Sequence, residues 1–290
     1  MAPTPKGTGP ALGVVAVVGV GLIGGSLGLA LRARGACREV IGVDPGPLDL
    51  ALERGAVERA LPLEAAAKAA DLIVLAAPVG ALPGLARALK PHLRPETVVT
   101  DTGSVKGYVL DHVAPLLGGR FVGAHPIAGR ERSGVGAAEA DLFEGAACVL
   151  TPVEASDDDA VAAVSALWRA VGARVTTMPA AVHDRVFACV SHLPHLVAFA
   201  LMGAVERTRP DGVDPVAYSA GGLRDFTRVA GADPVMWRDI CLTNPEALLA
   251  MIETFQRELA GIGDAVRAGD GEGLLARFEA ARRVRARVAP

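Results

Sequence analysis

The spacing Gly19-x-Gly21-x-x-Gly24 constrains this chain more than any other feature. It follows a β-branched run, Val14–Val18, and opens a stretch of small and apolar residues, Leu22–Leu31, suited to a helix. A strand, a glycine turn and a helix in that order predict the first unit of a doubly wound parallel sheet. The N-terminus of its first helix is then aimed at a pyrophosphate. Gly19 permits the tight turn, and Gly21 lets the backbone approach the phosphates. Gly24 lets helix and strand pack closely, while Leu22 and Ile23 lie in the first turn with its free N–H groups. Asp44, 20 residues past Gly24, ends a second strand-like run, Glu39–Val43, where a carboxylate meets the adenine-ribose hydroxyls. That charge repels a 2′-phosphate, and Pro45-Gly46-Pro47 offers no cation to receive one. The expected cofactor is NAD rather than NADP.

The alternation continues along the chain. Strand-like segments fall at Asp71–Ala76, Thr97–Asp101, Phe121–Gly123, Ala146–Leu150 and Arg174–Thr177, with helices near 47–54, 80–89, 105–116 and 157–171 between them. Strands alternating with helices predict an α/β domain with a parallel sheet wound on both faces. After Pro179 strand signals nearly stop. One long helix is expected over 180–206, then helices near 213–220, 234–241, 245–268 and 270–286. The expected division is a Rossmann-type nucleotide domain, residues 1–178 with 1–12 flexible, followed by an all-helical domain, 179–290.

Charge and composition exclude several classes. Lys plus Arg number 29 against 32 Asp plus Glu, too balanced for neutralising many phosphates, and aromatics are 4%, so no nucleic-acid partner is expected. The four cysteines (Cys37, Cys148, Cys189, Cys241) form no Cys-x-x-Cys pair and read as core-filling thiols of a reducing compartment. Val186–Val205 carries no formal charge and is long enough to span a bilayer. However, 188, 191, 192 and 195 share a helical face that includes Ser191, His192 and His195, which predicts a buried helix with its polar patch on a site. No membrane association is expected, and the expected location is the cytoplasm.

Four segments carry candidate chemistry. Ser104, in Asp101-Thr-Gly-Ser-Val-Lys106, follows a strand at the ligand-binding edge of the sheet and reads either as a site residue or as a helix cap. His125, in Gly123-Ala-His-Pro-Ile-Ala-Gly129-Arg-Glu131, follows a strand, is fixed by Pro126, and reads as a chemical group or a structural histidine. Ser191-His192-Leu-Pro-His195 reads as a site face, as structural, or as half of a metal set for which no third ligand is near; no metal is expected. In Gly221-Gly-Leu-Arg224-Asp-Phe-Thr-Arg228, two guanidinium groups at i, i+4 suit either carboxylates or surface ion pairs.

Together, VVGVGLIGGSLGLAL, DTGSVK, AHPIAGRERSG, SHLPH, GGLRDFTR and DPVMWRDI resemble the prephenate dehydrogenase family, in matching order from about residue 14 to about 260. The resemblance implies a Rossmann domain plus a helical domain through which two subunits dimerise, and NAD-dependent oxidative decarboxylation of prephenate in tyrosine biosynthesis. It implies that His125 takes the proton of the substrate hydroxyl. Ser104 would hydrogen-bond to His125 and the hydroxyl beside the nicotinamide, and Arg228 would grip the ring carboxylate. His195, Ser191 and His192 would line the pyruvyl side, Glu131 would gate the site, and Arg224 would be a second anion contact.

The nearest alternative is an arogenate or dual-specificity cyclohexadienyl dehydrogenase, for which Glu131 is the one visible ammonium partner. A β-hydroxyacid dehydrogenase would be expected to use a catalytic Lys on the helical domain, yet Lys6, Lys68, Lys90 and Lys106 all precede residue 178. A non-enzymatic NAD-sensing module would not need His125, Ser104 and Arg228 together.

Overall fold

The first strand, β1 (Leu12–Val18), sends alternate side chains to two apolar faces. Val15 and Val17 pack with Leu27 and Leu31 of α1 (Leu22–Ala33) and with Leu167 and Trp168 of α7 (Asp158–Ala170). Val14, Ala16 and Val18 pack instead with Ala66 of α3 (Leu63–Ala69), Leu82 and Leu89 of α4 (Leu82–Leu89) and Val109 of α5 (Lys106–His112). Helices therefore cover both faces, and strands buried on both sides read as continuous apolar runs. This computed structural model describes residues 12–129 and 132–288. Leu12, expected in a flexible lead, is the first residue of β1.

The remaining elements of this layer are β2 (Cys37–Val43), α2 (Asp49–Glu53), β3 (Arg59–Ala60), β4 (Leu72–Leu75), β5 (Val98–Asp101), α6 (Ala114–Leu117), β6 (Phe121–Pro126), β7 (Ala147–Thr151) and β8 (Arg174–Thr177). The strand order is β3-β2-β1-β4-β5-β6-β7-β8. β1 to β6 pair in parallel throughout. β7 departs from the expected parallel sheet and pairs antiparallel with β6. The connection between them, 127–146, contains no α-helix among its described residues, so the chain turns back beside β6 rather than crossing over. The helix expected over 105–116 is two, α5 and α6, because Pro115 cannot donate to the preceding turn.

After β8 come α8 (Ala180–Phe187), α9 (Leu193–Arg207), α10 (Gly221–Thr227) and α11 (Pro234–Thr243). Only a 3-10 turn, Pro215–Tyr218, stands where a helix near 213–220 was expected, with Asp214 accepting from Val216 N at its start. α8 and α9 form one continuous helical rod, Ala180–Arg207, long and apolar enough to cross a membrane. Phe187, Ala188, His192 and Ala198 are buried, but Val182, Val186 and Val190 are exposed, so the helix is less covered than the sequence predicted.

The chain divides into two compact units, the first ending at Asn244 and the second starting at Pro245. Within the first unit α8 packs on α5. The second unit is a helical hairpin, α12 (Pro245–Ala268) and α13 (Gly271–Arg285). Gly269 (φ +64°) turns the chain between them, and the Asp270 carboxylate accepts from Gly273 N to cap α13. Leu249, Leu259, Val266, Leu275 and Phe278 of this hairpin are exposed.

Candidate active site

Because β1, β4, β5 and β6 run parallel, their C-terminal ends share one edge of the sheet. That edge brings together the Gly19 turn, the Asp101–Ser104 loop and His125, far apart in sequence. Gly19 has φ +97°, and a Cβ there would lie 2.6 Å from Ala76 O, so only glycine fits. At Gly24 a Cβ would meet Gly19 O at 2.0 Å and Val17 at 2.7 Å; helix and strand touch at this point. At Gly21 a Cβ would meet nothing within 4 Å, so the missing side chain leaves open space in front of the turn. α1 starts with no side-chain cap and no acidic residue in its first turn, which leaves the Leu22 and Ile23 N–H groups for an anion. Asp44 Oδ2 accepts from Val20 N (2.9 Å) and Oδ1 from Gly46 N (2.9 Å), which fixes a half-buried carboxylate beside the turn. These residues fit a dinucleotide: an open approach over glycine, free helix N–H groups, and a fixed acceptor at the end of β2.

His125 is 9% exposed at the end of β6. Its Nδ1 lies 2.8 Å from His183 Nε2, and His183 Nδ1 lies 2.7 Å from Asp184 Oδ1. Phe187, one turn after His183 on α8, packs against both rings, with centroids 4.8 Å from His125 and 4.4 Å from His183. The Asp184 carboxylate also accepts from Lys106 N (2.8 Å) and Gly107 N (2.7 Å), and so ties the start of α5 to α8. Lys106 is fully buried; its ammonium pairs with the buried Asp101 carboxylate and donates to Ala124 O at 2.6 Å, next to His125. Asp101 in turn accepts from Gly103 N and Ala124 N. Burial, then the neighbouring His183 and the Lys106 ammonium, hold His125 well below the ordinary histidine range. Burial likewise lowers His183, against the opposing pull of Asp184. Asp184 is raised by burial but more strongly lowered by the donors it accepts.

Between α8 and α9 the chain makes a π turn over Ala188–His192. Pro194, in the first turn of α9, has no N–H for the ordinary i→i−4 bond, and the wider turn absorbs that loss. His192 is 1% exposed, and Asn244 Nδ2 donates to its Nδ1 (3.3 Å) and to Asp184 O (3.0 Å). Burial pushes His192 down to about 4. His195 Nδ1 donates to Ser191 O (2.9 Å), and its ring stacks on Trp237 of α11 at 3.7 Å and 21°. Burial lowers its pKa.

The predicted residues are therefore not all joined. His125 and Ser104 share the sheet edge, but His125 Nδ1 is held by His183 rather than Ser104, whose half-buried hydroxyl makes no hydrogen bond among the described residues. His192 and His195 lie against Trp237, His192 also meets Asn244, and Ser191 enters through its carbonyl oxygen, which accepts from His195. Arg224 is exposed on α10, and the exposed Arg228 is the first residue of the 3-10 turn Arg228–Gly231 that follows. Glu131 and Arg130 lie outside the described residues. His183, Asp184, Lys106, Trp237 and Asn244 were missed. A polar pair, His183-Asp184, near the start of an apolar helix was the available signal.

Three buried histidines make stability depend on pH. His125, His183 and His192 all have lowered values, so below about pH 6.5 the unfolded chain takes up protons that the folded chain refuses. Their contribution is intact above that pH and is lost as the pH falls toward the folded values. Each histidine removes up to about 1.4 kcal/mol per pH unit in that window. Denaturant titrations at pH 7.5, 6 and 5 should show a steep fall; equal midpoints at the three would refute neutral burial.

Sequence models of two domains match in tandem: the prephenate dehydrogenase nucleotide-binding domain over residues 27–177, and its dimerization domain over 179–280. The chain belongs to the prephenate dehydrogenase family. Its relatives include the cyclohexadienyl dehydrogenase of Zymomonas mobilis, 35% identical, with 93% of this chain and 94% of the relative covered. The prephenate dehydrogenase of Bacillus subtilis is also 35% identical over 92% of this chain and 74% of its own length. The crystal structure of the Aquifex aeolicus prephenate dehydrogenase, in complex with hydroxyphenyl propionate and NAD+, superposes with a TM-score of 0.91 at 36% identity, covering 96% and 99% of the two chains. Synechocystis arogenate dehydrogenase superposes at 0.81 with 31% identity, over 94% and 99%. Members of this family are oxidoreductases, and so is this protein.

Proposed function

We propose that this family member oxidatively decarboxylates prephenate to 4-hydroxyphenylpyruvate with NAD. The observation that carries the reading is His125: a buried, neutral imidazole at the C-terminal edge of the sheet that also carries the glycine turn, with Nδ1 committed to His183 and Nε2 unpartnered among the described residues. NAD supplies the hydride acceptor. His125 Nε2 accepts the proton of the ring hydroxyl as the C–H electron pair leaves the carbon that carries it. The pair of the C–carboxylate bond enters the ring as carbon dioxide departs, and the proton returns from His125 to the phenolate oxygen. Charge and protons balance, since the overall reaction neither releases nor consumes a proton.

Ser104 is assigned to the hydroxyl beside the nicotinamide. Arg228 is assigned to the ring carboxylate and Arg224 to a second anion contact. His195, stacked on Trp237, with Ser191 and His192 lines the pyruvyl side, and Glu131 is assigned to the entrance. The division of labour is placed at residue 178, with nucleotide binding before it and substrate and dimer contacts after it. Initial rates with prephenate and arogenate, each with NAD and NADP, test the reading. Prephenate with NAD is expected to give the highest kcat/KM, with NAD preferred at least about tenfold because Asp44 faces the position of a 2′-phosphate. Turnover of arogenate alone would shift the assignment to the amino substrate.

We also propose a homodimer. The exposed apolar residues of α12 and α13, and Val182, Val186 and Val190 on α8 and the π turn, are more than one chain covers. The interface is expected to bury roughly 2,000 Å² or more. Sedimentation as a monomer at micromolar concentration would contradict it.

A further inference from the structure

His183 and Asp184 belong to no motif that drew attention in the sequence, yet they stand behind the reacting histidine. Asp184 accepts three hydrogen bonds, from Lys106 N, Gly107 N and the His183 ring. An ionised carboxylate only accepts, so the proton in the 2.7 Å contact sits on His183 Nδ1. In neutral His183 the Nε2 lone pair is then an acceptor, and the 2.8 Å contact to His125 is closed only by a proton on His125 Nδ1. His125 Nε2 is left with its lone pair. A charged His183 would instead donate to His125 Nδ1 and force the proton of a neutral His125 onto Nε2, which could then accept nothing; a turned-over ring would present Cε1–H there and leave His125 Nδ1 without its acceptor. Phe187 packs against both rings and blocks such a turn.

We propose that Asp184 and His183 are positioning residues that lock His125 in the Nδ1–H tautomer and stabilise the imidazolium it becomes on taking the hydroxyl proton. The proposal rests on the reading of His125 as proton acceptor. The other groups facing the pair are the Lys106 ammonium of α5, the Asp101 carboxylate of β5, His192 of the π turn and Cys148 of β7. The ammonium disfavours a second positive charge on His183, and Asp184 is the counter-charge when the proton arrives at His125.

Two variants separate positioning from simple packing. His183→Leu removes the acceptor for His125 Nδ1–H, whereas His183→Gln places an amide oxygen near the position of Nε2. In the NAD-bound enzyme, His183→Leu is expected to lower kcat about 10- to 100-fold with little change in KM. Its acid limb should also move, and His183→Gln should recover most of kcat. Nitrogen-15 NMR of histidine-labelled enzyme without substrate should show His125 protonated on Nδ1 in the unmodified protein and in His183→Gln, and redistributed in His183→Leu. A wild-type His125 protonated on Nε2 overturns the proposal even if no variant folds. So do variants that lose kcat equally, or not at all. Failure to oxidise either substrate would refute the proposed function instead, because the tautomer is read without turnover.

Discussion

His125→Asn is expected to lower kcat by about 10²-fold or more while changing KM less, and to remove the acidic limb of the pH–rate profile. The interaction with the hydroxyl proton grows as the hydride departs, so it stabilises the transition state more than the bound substrate. Burial and the neighbouring His183 and Lys106 hold His125 well below the ordinary histidine range, so that limb should lie below pH 6.5. Protonation switches the base off, so activity is lost as the pH falls through the lowered value. Arg228→Ala provides the contrast. A carboxylate present in the ground state loses a charge-assisted contact of roughly 2–4 kcal/mol, which appears chiefly in KM. If His125→Asn raises only KM and leaves the pH profile intact, His125 binds rather than reacts, and the acceptor must be His192 or His195.

Lys106→Met is expected to cost about 3–5 kcal/mol of stability, a fall in Tm of roughly 10 °C. Lys106 and Asp101 are both fully buried, and Asp101 keeps only the Gly103 and Ala124 N–H donors once the ammonium is gone. An unpaired carboxylate in this setting is costly because solvent cannot reach it. Replacing both partners, Asp101→Asn with Lys106→Met, should recover much of the loss, since two neutral groups leave no orphaned charge. The single variant should also move the acid limb of activity to higher pH, because Lys106 helps to depress His125. A loss under about 1 kcal/mol, measured by denaturant titration, would show that the pair contributes no net stability. Lys106 is thereby assigned to holding Ala124 and the end of β6, not to the chemistry itself.

The nucleotide half of this protein was legible because its signals are local. The β-branched run, the glycine turn, α1 and Asp44 follow from periodicity and from glycine's access to φ +97° at Gly19. His125 and Ser104 were visible because each follows a strand at the edge where such sheets bind ligands. The antiparallel β7 was not visible, since the direction of a strand depends on how its connection runs over the sheet, not on its own residues. The two-residue β3 was too short to show a period.

What orients His125 was decided by tertiary structure alone. His183 reaches it across 58 positions, Asp184 reaches Lys106 across 78, and Asn244 reaches His192 across 52. Hydrogen bonds at such separations leave no periodicity in the sequence, because each requires α8, α5 and the segment after α11 to be already packed. The sequence by itself therefore determined which residue types arrive at the sheet edge. Folding decided which ring nitrogen of His125 is left free, because only the packed helices place an acceptor behind the other one.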